Sequence, residues 1–546
     1  MENNNIDNNN IQNMGLPIGS VGSNGVHENS LKANMKENAL YFLGLALIYS
    51  LCFAAAFYRN YVGITFPLIT AATLAVCMLF LKKQGVLWKK SNWLYAGICL
   101  LLGISTFLTT NFFVVFFNTV GILLLITVIM LRQMYDDKEW SFGQYLVNLL
   151  FLYLNMIPEL AAPFIHLSGC LKLNRKQEKK NRTAKYILLG ALIGMPMLAV
   201  IIVLLSSADQ IFSKVIGETL YRLFSQIVFS PNVFFVILLM ILGFFGIYSF
   251  FSALTLNNMP QKGGQMQKKN PLIAITFLSM VTAVYVIFCI IQVIFLFTGG
   301  MLLPEGYTYA EYAHQGFFQL LFVCIFNLVL VVSCMAVFDV NRMLKLLLLL
   351  CSGCTYIMIA SSAFRMILYI CTYHLSFLRV LVLWFLAMLV VLMAGVIIAV
   401  CRQEFGLFRY GMTVVALFYL VFSFSRPDVL VAEYNMAQMK DAVSYEDLEY
   451  LAGLSMDTVP TLSRYDFEHE DCCKDGTYVK EYDYYLPASE WHYYGEYGRE
   501  GTQRGCRRCL LNHTFHRVME LTEGMDVRTF HLSKYLARNA AKAYGK

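Results

Sequence analysis

Charge is what this chain has least of. Only 14% of its 546 residues are Asp, Glu, Lys or Arg, where a soluble domain carries roughly 25%. With 58% hydrophobic residues and a mean hydropathy of +0.57, the chain has too much apolar surface for a water-soluble globule, and lipid becomes the expected solvent. Nucleotide-binding glycine loops, a dinucleotide fingerprint, a serine nucleophile elbow and a His-Glu-x-x-His pair are all missing from the sequence, which removes the common enzyme signatures. Residues 1–38, rich in Asn, Gly and Ser, lack a basic start followed by an apolar core. They read as a disordered cytoplasmic leader rather than a cleaved signal.

What is present is a series of eleven apolar runs of spanning length, near 39–58, 61–81, 93–109, 112–131, 186–206, 232–254, 271–299, 316–339, 346–367, 378–401 and 410–425. A spanning helix needs about 20 such residues. The expected fold is therefore all-α, a polytopic transmembrane helix bundle. With the N-terminus inside, 22 basic residues fall on inner segments and 5 on outer ones (Arg59, Lys214, Arg222, Arg365, Arg379). That asymmetry is the positive-inside pattern. An odd number of spans then puts the tail, residues 426–546, outside as a small, mainly helical, extracytoplasmic domain. The net charge of +7 divides accordingly. The tail carries 15 Lys and Arg against 20 Asp and Glu, a balance of −5, and the rest of the chain carries +12. Charge sorted by topology in this way points to a lipid bilayer and gives no reason to expect a nucleic-acid partner.

Residues 143–170 do not fit as a twelfth span, because a single crossing there would invert every later loop. The segment is expected to start and end inside, re-entrant or interfacial, broken by Pro158 and Pro163. Glu159 is its one acidic residue, with Asn148, Asn155 and His166 nearby. Broken helices of this kind build ion and substrate sites in transporters, whereas an interfacial Glu159 would simply face water. A second polar group is expected at the outer surface. Arg365, Tyr369 and Tyr373 share a helix face by their i, i+4, i+8 spacing; Arg379 follows a turn containing His374, and Glu311 and His314 precede the eighth span. The planar fork of Arg365 suits an anionic headgroup or carboxylate. The plainer reading is an arginine snorkelling beside an aromatic belt.

The tail holds Cys472, Cys473, Cys506 and Cys509, followed by His513 and His516. Cys-x2-Cys-x3-His-x2-His offers ligand types that zinc takes. Disulfides between the two pairs are the leading alternative in an outside tail, and free thiols remain open too. No other cofactor is called for. Ser444 with Asp447 resembles a helix-capping pair before a short helix ending near Gly453, and 530–543 reads as a terminal helix.

Four segments carry a resemblance. They are Tyr309-Ala-Glu-Tyr-Ala-His-Gln-Gly316-Phe-Phe-Gln-Leu-Leu321, Arg365-Met-Ile-Leu-Tyr369 through Leu378-Arg379, Pro427-Asp428 with Tyr434-Asn435, and Tyr450-Leu-Ala-Gly-Leu-Ser455-Met-Asp457-Thr-Val-Pro460-Thr-Leu462. Together they resemble a bacterial family of multi-pass cell-membrane proteins, the domain-of-unknown-function group 4153/4173. The family usually has Tyr-Gly-Leu-Thr at the outer turn, where this chain has Tyr373-His374-Leu375-Ser376. The resemblance implies a fold and a membrane location but no activity. The leading expectation is a non-enzymatic sensor, scaffold or assembly partner that meets a membrane or cell-surface protein through its tail. The alternative is a transporter or lipid-handling protein using segment 143–170 and the outer cluster. A membrane-embedded enzyme with Glu159 or Glu311 as base ranks last.

Overall fold

The computed structural model describes residues 31–60, 62–135, 142–170, 231–256, 268–297, 317–402, 405–439, 442–465 and 507–544, with a few single positions between them. The expected span at 186–206 lies outside the described residues, as do Glu311 and His314. Among the described residues the chain is helical throughout, apart from one isolated bridge between Lys269 and Phe338. In chain order the helices are α1 (Ala39–Phe57), α2 (Thr65–Lys83), α3 (Asn92–Leu108), α4 (Phe112–Met134), α5 (Phe142–Glu159), α6 (Ala162–Cys170), α7 (Pro231–Thr255), α8 (Pro271–Phe297), α9 (Phe317–Val337), α10 (Arg342–Tyr373), α11 (Phe377–Cys401), α12 (Leu407–Phe424), α13 (Pro427–Met439), α14 (Tyr445–Gly453), α15 (Val459–Leu462), α16 (Arg507–Leu521) and α17 (Leu532–Tyr544).

Nine of the described helices, α1, α2, α4 and α7 to α12, are long and apolar enough to cross a membrane. Their outward surfaces are apolar as well: Leu272 is 64% exposed, Val284 63% and Phe322 70%. Large aliphatic and aromatic side chains turned outward along whole helices would be a liability in water and are the expected finish against lipid. The protein is a multi-pass membrane protein. Helix α3 has 17 residues, about 26 Å of rise, just short of the hydrocarbon thickness. Helix α5 has 18 residues but is not among the nine. It carries Pro158 in its last turn and stops at Glu159, and the chain resumes as α6 with Pro163 in its first turn.

The chain divides into two compact units. The first comprises residues up to Leu51, Met78–Leu87 and Asn148–Met259. Its described core stacks Phe80 on Phe251 at 4.1 Å and tilts Phe42 against Phe80.

The second unit comprises Cys52–Cys77, Trp88–Val147 and Pro260–Lys546. In it α8, α9 and α11 surround the 32-residue α10. Small side chains permit the close approach. A Cβ on Gly395 of α11 would sit 2.1 Å from the Tyr410 ring of α12, so only glycine fits there. Buried amides and hydroxyls then join the helices. Asn327 accepts from Tyr285 Oη at 2.8 Å and donates to Thr355 Oγ1 at 3.0 Å. Likewise, α12 is tied to the α3–α4 hairpin by Ser105 donating to the Ser423 carbonyl at 3.0 Å and Ser423 donating to Asn118 at 2.8 Å. Such bonds matter in lipid because a buried polar group has no water to fall back on.

The tail helices have an apolar core of their own, with Val431, Met436, Leu448, Leu451, Leu462, Leu511, Phe515 and Ala537 buried together. Ser444 caps α14 as expected, accepting from Asp447 N at 3.0 Å.

Candidate functional site

The polar residues that the structure gathers most densely lie where the tail meets the helix ends of the second unit. The α3–α4 connection is Thr109-Thr110-Asn111. Asn111 caps α4, its Oδ1 accepting from Val114 N at 2.9 Å. That leaves Thr109, Thr110 and the Asn111 amide with donors to place. Asp457, 2% exposed in the turn before α15, collects those of the two threonines. Its carboxylate accepts from Thr109 Oγ1, from Thr110 N at 2.9 Å, from Thr110 Oγ1 at 2.9 Å and from Ser533 Oγ of α17. Arg426 Nε lies 3.9 Å away. Asp428, 1% exposed in the first turn of α13, accepts from Asn111 Nδ2 at 2.8 Å and from Ser455 N at 3.2 Å. A carboxylate loses hydration on burial, and donors make that tolerable: both oxygens of Asp457 take them, whereas Asp428 takes its two on Oδ2 and leaves Oδ1 without a hydrogen-bond partner among the described residues.

The same end is fastened twice more. Phe530 O accepts from Ile64 N at 2.8 Å, and Asn60 Nδ2 donates to the Arg528 carbonyl at 3.2 Å. Asn435 of α13 brackets Leu375 in the α10–α11 turn, accepting from its N–H and donating to its carbonyl, both at 2.8 Å. Phe377 N donates to Tyr450 Oη at 3.0 Å. Within this joint His531 is fully buried beside Phe107, with Nδ1 facing Lys534 N. Burial, and then the neighbouring Lys534 charge, hold its pKa down to about 4, against an upward pull from Asp457 and the Thr106 and Thr109 backbone.

At the far end of α4 sits a second carboxylate knot. Buried Asp137 is 3.1 Å from both Arg132 and Arg409 and accepts from Tyr145 Oη. Knots at both ends fix the α4–α12 pair along its whole length.

The family model for a domain of unknown function, DUF4153, matches residues 96–465. The chain belongs to the DUF4153 family. No curated protein and no solved structure matches it. The DUF4153 region contains Thr109 to Asn111, Asp428 and Asp457. Ser533 and His531 lie beyond it, so the joint combines family residues with the C-terminal helices.

The residues singled out by sequence fall in several places. Glu159, half-buried at the end of α5, accepts from Ser252 Oγ at 2.6 Å. His166 Nδ1 and Tyr248 Oη share a hydrogen bond of 2.8 Å. Tyr248 and Ser252 are one turn apart on α7, so one face of α7 serves both. Asn155 is half-buried, and Asn148 is fully buried with neither side-chain polar atom hydrogen-bonded among the described residues. Arg365 does not reach outward as a snorkelling arginine would. It is buried in the bundle, where Nη2 donates to Gln292 Oε1 at 3.3 Å, an oxygen that also accepts from Ser361 at 2.7 Å. Tyr369 instead pairs with Arg379, whose guanidinium lies 4.2 Å from the ring centroid. Tyr373 is exposed and packs on Tyr369.

Cys472, Cys473, Cys506 and the side chain of Cys509 lie outside the described residues. His513 and His516 are exposed on α16, His516 with Glu520 at 3.4 Å. Among the described residues no cluster of metal-ligand type occurs, and the ten described cysteines are free thiols.

Asp428, Asp457, Asp137, Thr109, Asn111 and His531 were not singled out by sequence as site residues. Asp137, Thr109, Asn111 and Asp428 stand at or just beyond the end of an apolar run, and Asp457 and His531 lie in the polar tail; in both places a polar residue looks ordinary. The available signal was that Asp428 and Asp457 are the acids in two of the segments shared with the family.

The α10–α11 turn carries one local strain. His374 has φ 62° and ψ −174°, a region that only glycine enters without cost. His374→Gly is therefore expected to stabilise the folded protein by about 1 kcal/mol, the relieved strain less the added chain entropy. His374→Ala should gain nothing. Thermal unfolding of the two variants in detergent checks this.

Proposed function

We propose that this DUF4153 protein is a non-enzymatic scaffold or assembly partner whose C-terminal helices form a fixed platform on the outer ends of its membrane helices. The N-terminus is inside and the platform outside, as the distribution of Lys and Arg favours. The observation that carries the reading is Asp457. One buried carboxylate takes donors from the α3–α4 loop and from α17, residues 348 and 76 positions away. A tail that merely hung from the last span would need no such joint. A tail that presents a binding surface at a set position would. Its exposed face offers Glu446, Glu449 and Tyr450 on α14 and His513 and His516 on α16, a polar surface suited to another protein.

The test is photo-crosslinking in intact cells from probes placed at Glu446 and His513. A discrete adduct is expected, and it should disappear when Asp457→Ala undocks the platform. Absence of any adduct, or normal assembly after deletion of 463–546, would sink the reading. Labelling the tail cysteines with an impermeant thiol reagent tests the orientation separately. Labelling only after lysis would place the tail inside.

A second reading, transport through the broken α5–α6 segment, draws on Glu159 facing Ser252 and on buried Asn148, whose amide has no hydrogen-bond partner among the described residues. It requires that Glu159→Gln remove activity in an inserted protein, whereas the platform reading requires that this variant be silent.

A further inference from the structure

A cavity of about 150 Å³ opens where three apolar helices of the second unit end together. Its walls are Phe317 and Phe318 at the start of α9, Met366 and Tyr369 near the end of α10, and Leu378 and Arg379 in the first turn of α11. The apolar runs of the three helices, 316–339, 346–367 and 378–401, begin or end beside it, and the end of an apolar run is where a spanning segment meets the headgroup layer, so the cavity lies at headgroup depth. Its one charge is Arg379.

That guanidinium is already pre-positioned. Nη1 donates to the Tyr373 carbonyl at 2.6 Å and to the His374 carbonyl. Its face rests on the Tyr369 ring. Among the described residues Nε and Nη2 take no acceptor and no carboxylate pairs with Arg379. The turn that carries it is clamped from the tail by Asn435 and Tyr450. A cation held by stacking and one nitrogen, with its other donors unspent, is built to receive two oxygens of a planar or tetrahedral anion. The α11 N-terminus adds partial positive charge on the same side. Beside the cation the walls are greasy: Phe318 is 47% exposed and Leu378 53%. A free ion has no use for such walls, whereas an acyl chain does.

We propose that this cavity binds the phosphate of an anionic phospholipid, Arg379 holding the phosphate while the chains lie along Phe318 and Leu378. The chemistry read by Arg379 is that of a phosphate ester, which free phosphate shares. The apolar walls select the lipid. The proposal rests on α9 to α11 spanning the membrane and on neither function argued above.

The test is native mass spectrometry of the full chain in detergent, titrated with phosphatidylglycerol, with phosphatidylcholine and with inorganic phosphate. The wild-type protein is expected to retain phosphatidylglycerol about tenfold better than Arg379→Gln does, the loss of one bidentate charge-assisted contact. Arg379→Lys should fall between them, and Phe318→Ser should weaken phosphatidylglycerol retention. Equal retention by Arg379→Gln, or no preference over phosphatidylcholine, overturns the proposal. Displacement of phosphatidylglycerol by millimolar inorganic phosphate, with Phe318→Ser unchanged, overturns its lipid half and leaves a free-ion site. Because Arg379 also caps α10, Tyr450→Phe serves as the structural control: it loosens the same turn without touching the charge. If Tyr450→Phe loses the lipid as fully as Arg379→Gln does, the effect is one of folding and the proposal fails.

Discussion

Asp457→Ala is expected to cost about 3 kcal/mol of stability and to free the C-terminal helices from the α3–α4 loop. The size follows from the donors left behind. Thr109, Thr110 and Ser533 would lose their common acceptor in a site that water does not reach, and each unsatisfied buried donor costs on the order of 1 kcal/mol or more. Arg426, 3.9 Å from the carboxylate, would lose its counter-charge, though it is exposed enough for water to absorb most of that loss. Asp457→Asn should cost less, since the amide keeps one accepting oxygen in the same place. Ser533→Ala should cost about 1 kcal/mol, one neutral-to-charged hydrogen bond. Comparing Asp457→Ala with Ser533→Ala separates docking from folding of the tail itself: the Ser533–Asp457 bond lies within the tail, the Thr109 and Thr110 bonds join it to the α3–α4 loop, and the apolar core around Leu448, Leu462 and Phe515 contains none of these residues. Unfolding in detergent gives the stability, and hydrogen exchange across 507–544 gives the docking. If Asp457→Ala leaves both unchanged, the joint does not hold the platform, and the function proposed from it goes too.

How much of this could be read in the sequence depends on the range of the interaction. Hydropathy is local, and the helices that follow from it lie close to their expected places. The runs at 112–131, 232–254 and 378–401 appear as Phe112–Met134, Pro231–Thr255 and Phe377–Cys401. Caps are local too, so Ser444 and the end of α14 at Gly453 were legible. Helix α10 outruns its expected 346–367 at both ends. Asn341 caps it early, accepting from Leu344 N at 2.8 Å, and nothing in the backbone obliges a helix to stop where lipid does. Side-chain direction is less local than helix position. The i, i+4, i+8 spacing correctly put Arg365, Tyr369 and Tyr373 on neighbouring turns, but spacing cannot tell which side chain turns inward. Gln292, a polar residue deep in α8, drew Arg365 into the bundle, and Arg379 took its place over Tyr369. The joint was not legible at all, since Asp457 and Thr109 are 348 residues apart and each looks like a loop residue until the fold brings them together.

Acidification should loosen the same joint through His531. Its ring is fully buried, with Nδ1 facing Lys534 N at 3.5 Å and the Thr106 and Thr109 backbone beside it. Burial first, then the Lys534 charge, lower the folded-state pKa from 6.5 to about 4. A histidine held neutral in the folded state stabilises it fully above the unfolded pKa, near 6.5. The contribution drains away as pH falls toward 4, because the unfolded chain takes up the proton first. The full drop corresponds to about 3 kcal/mol by pH 4. Asp457 works in the opposite direction, which is why the shift is not larger. His531→Phe keeps the ring stacked beside Phe107 and removes the titration, so its melting temperature should be flatter than that of the wild type between pH 6.5 and 4. Subtracting the two curves cancels His374, His513, His516 and every carboxylate elsewhere in the chain. If the difference curve is flat, His531 is not held neutral by the joint. If it falls through that window, the platform is undocked by the same protonation that charges His531, and crosslinks from Glu446 and His513 should weaken over the same pH range.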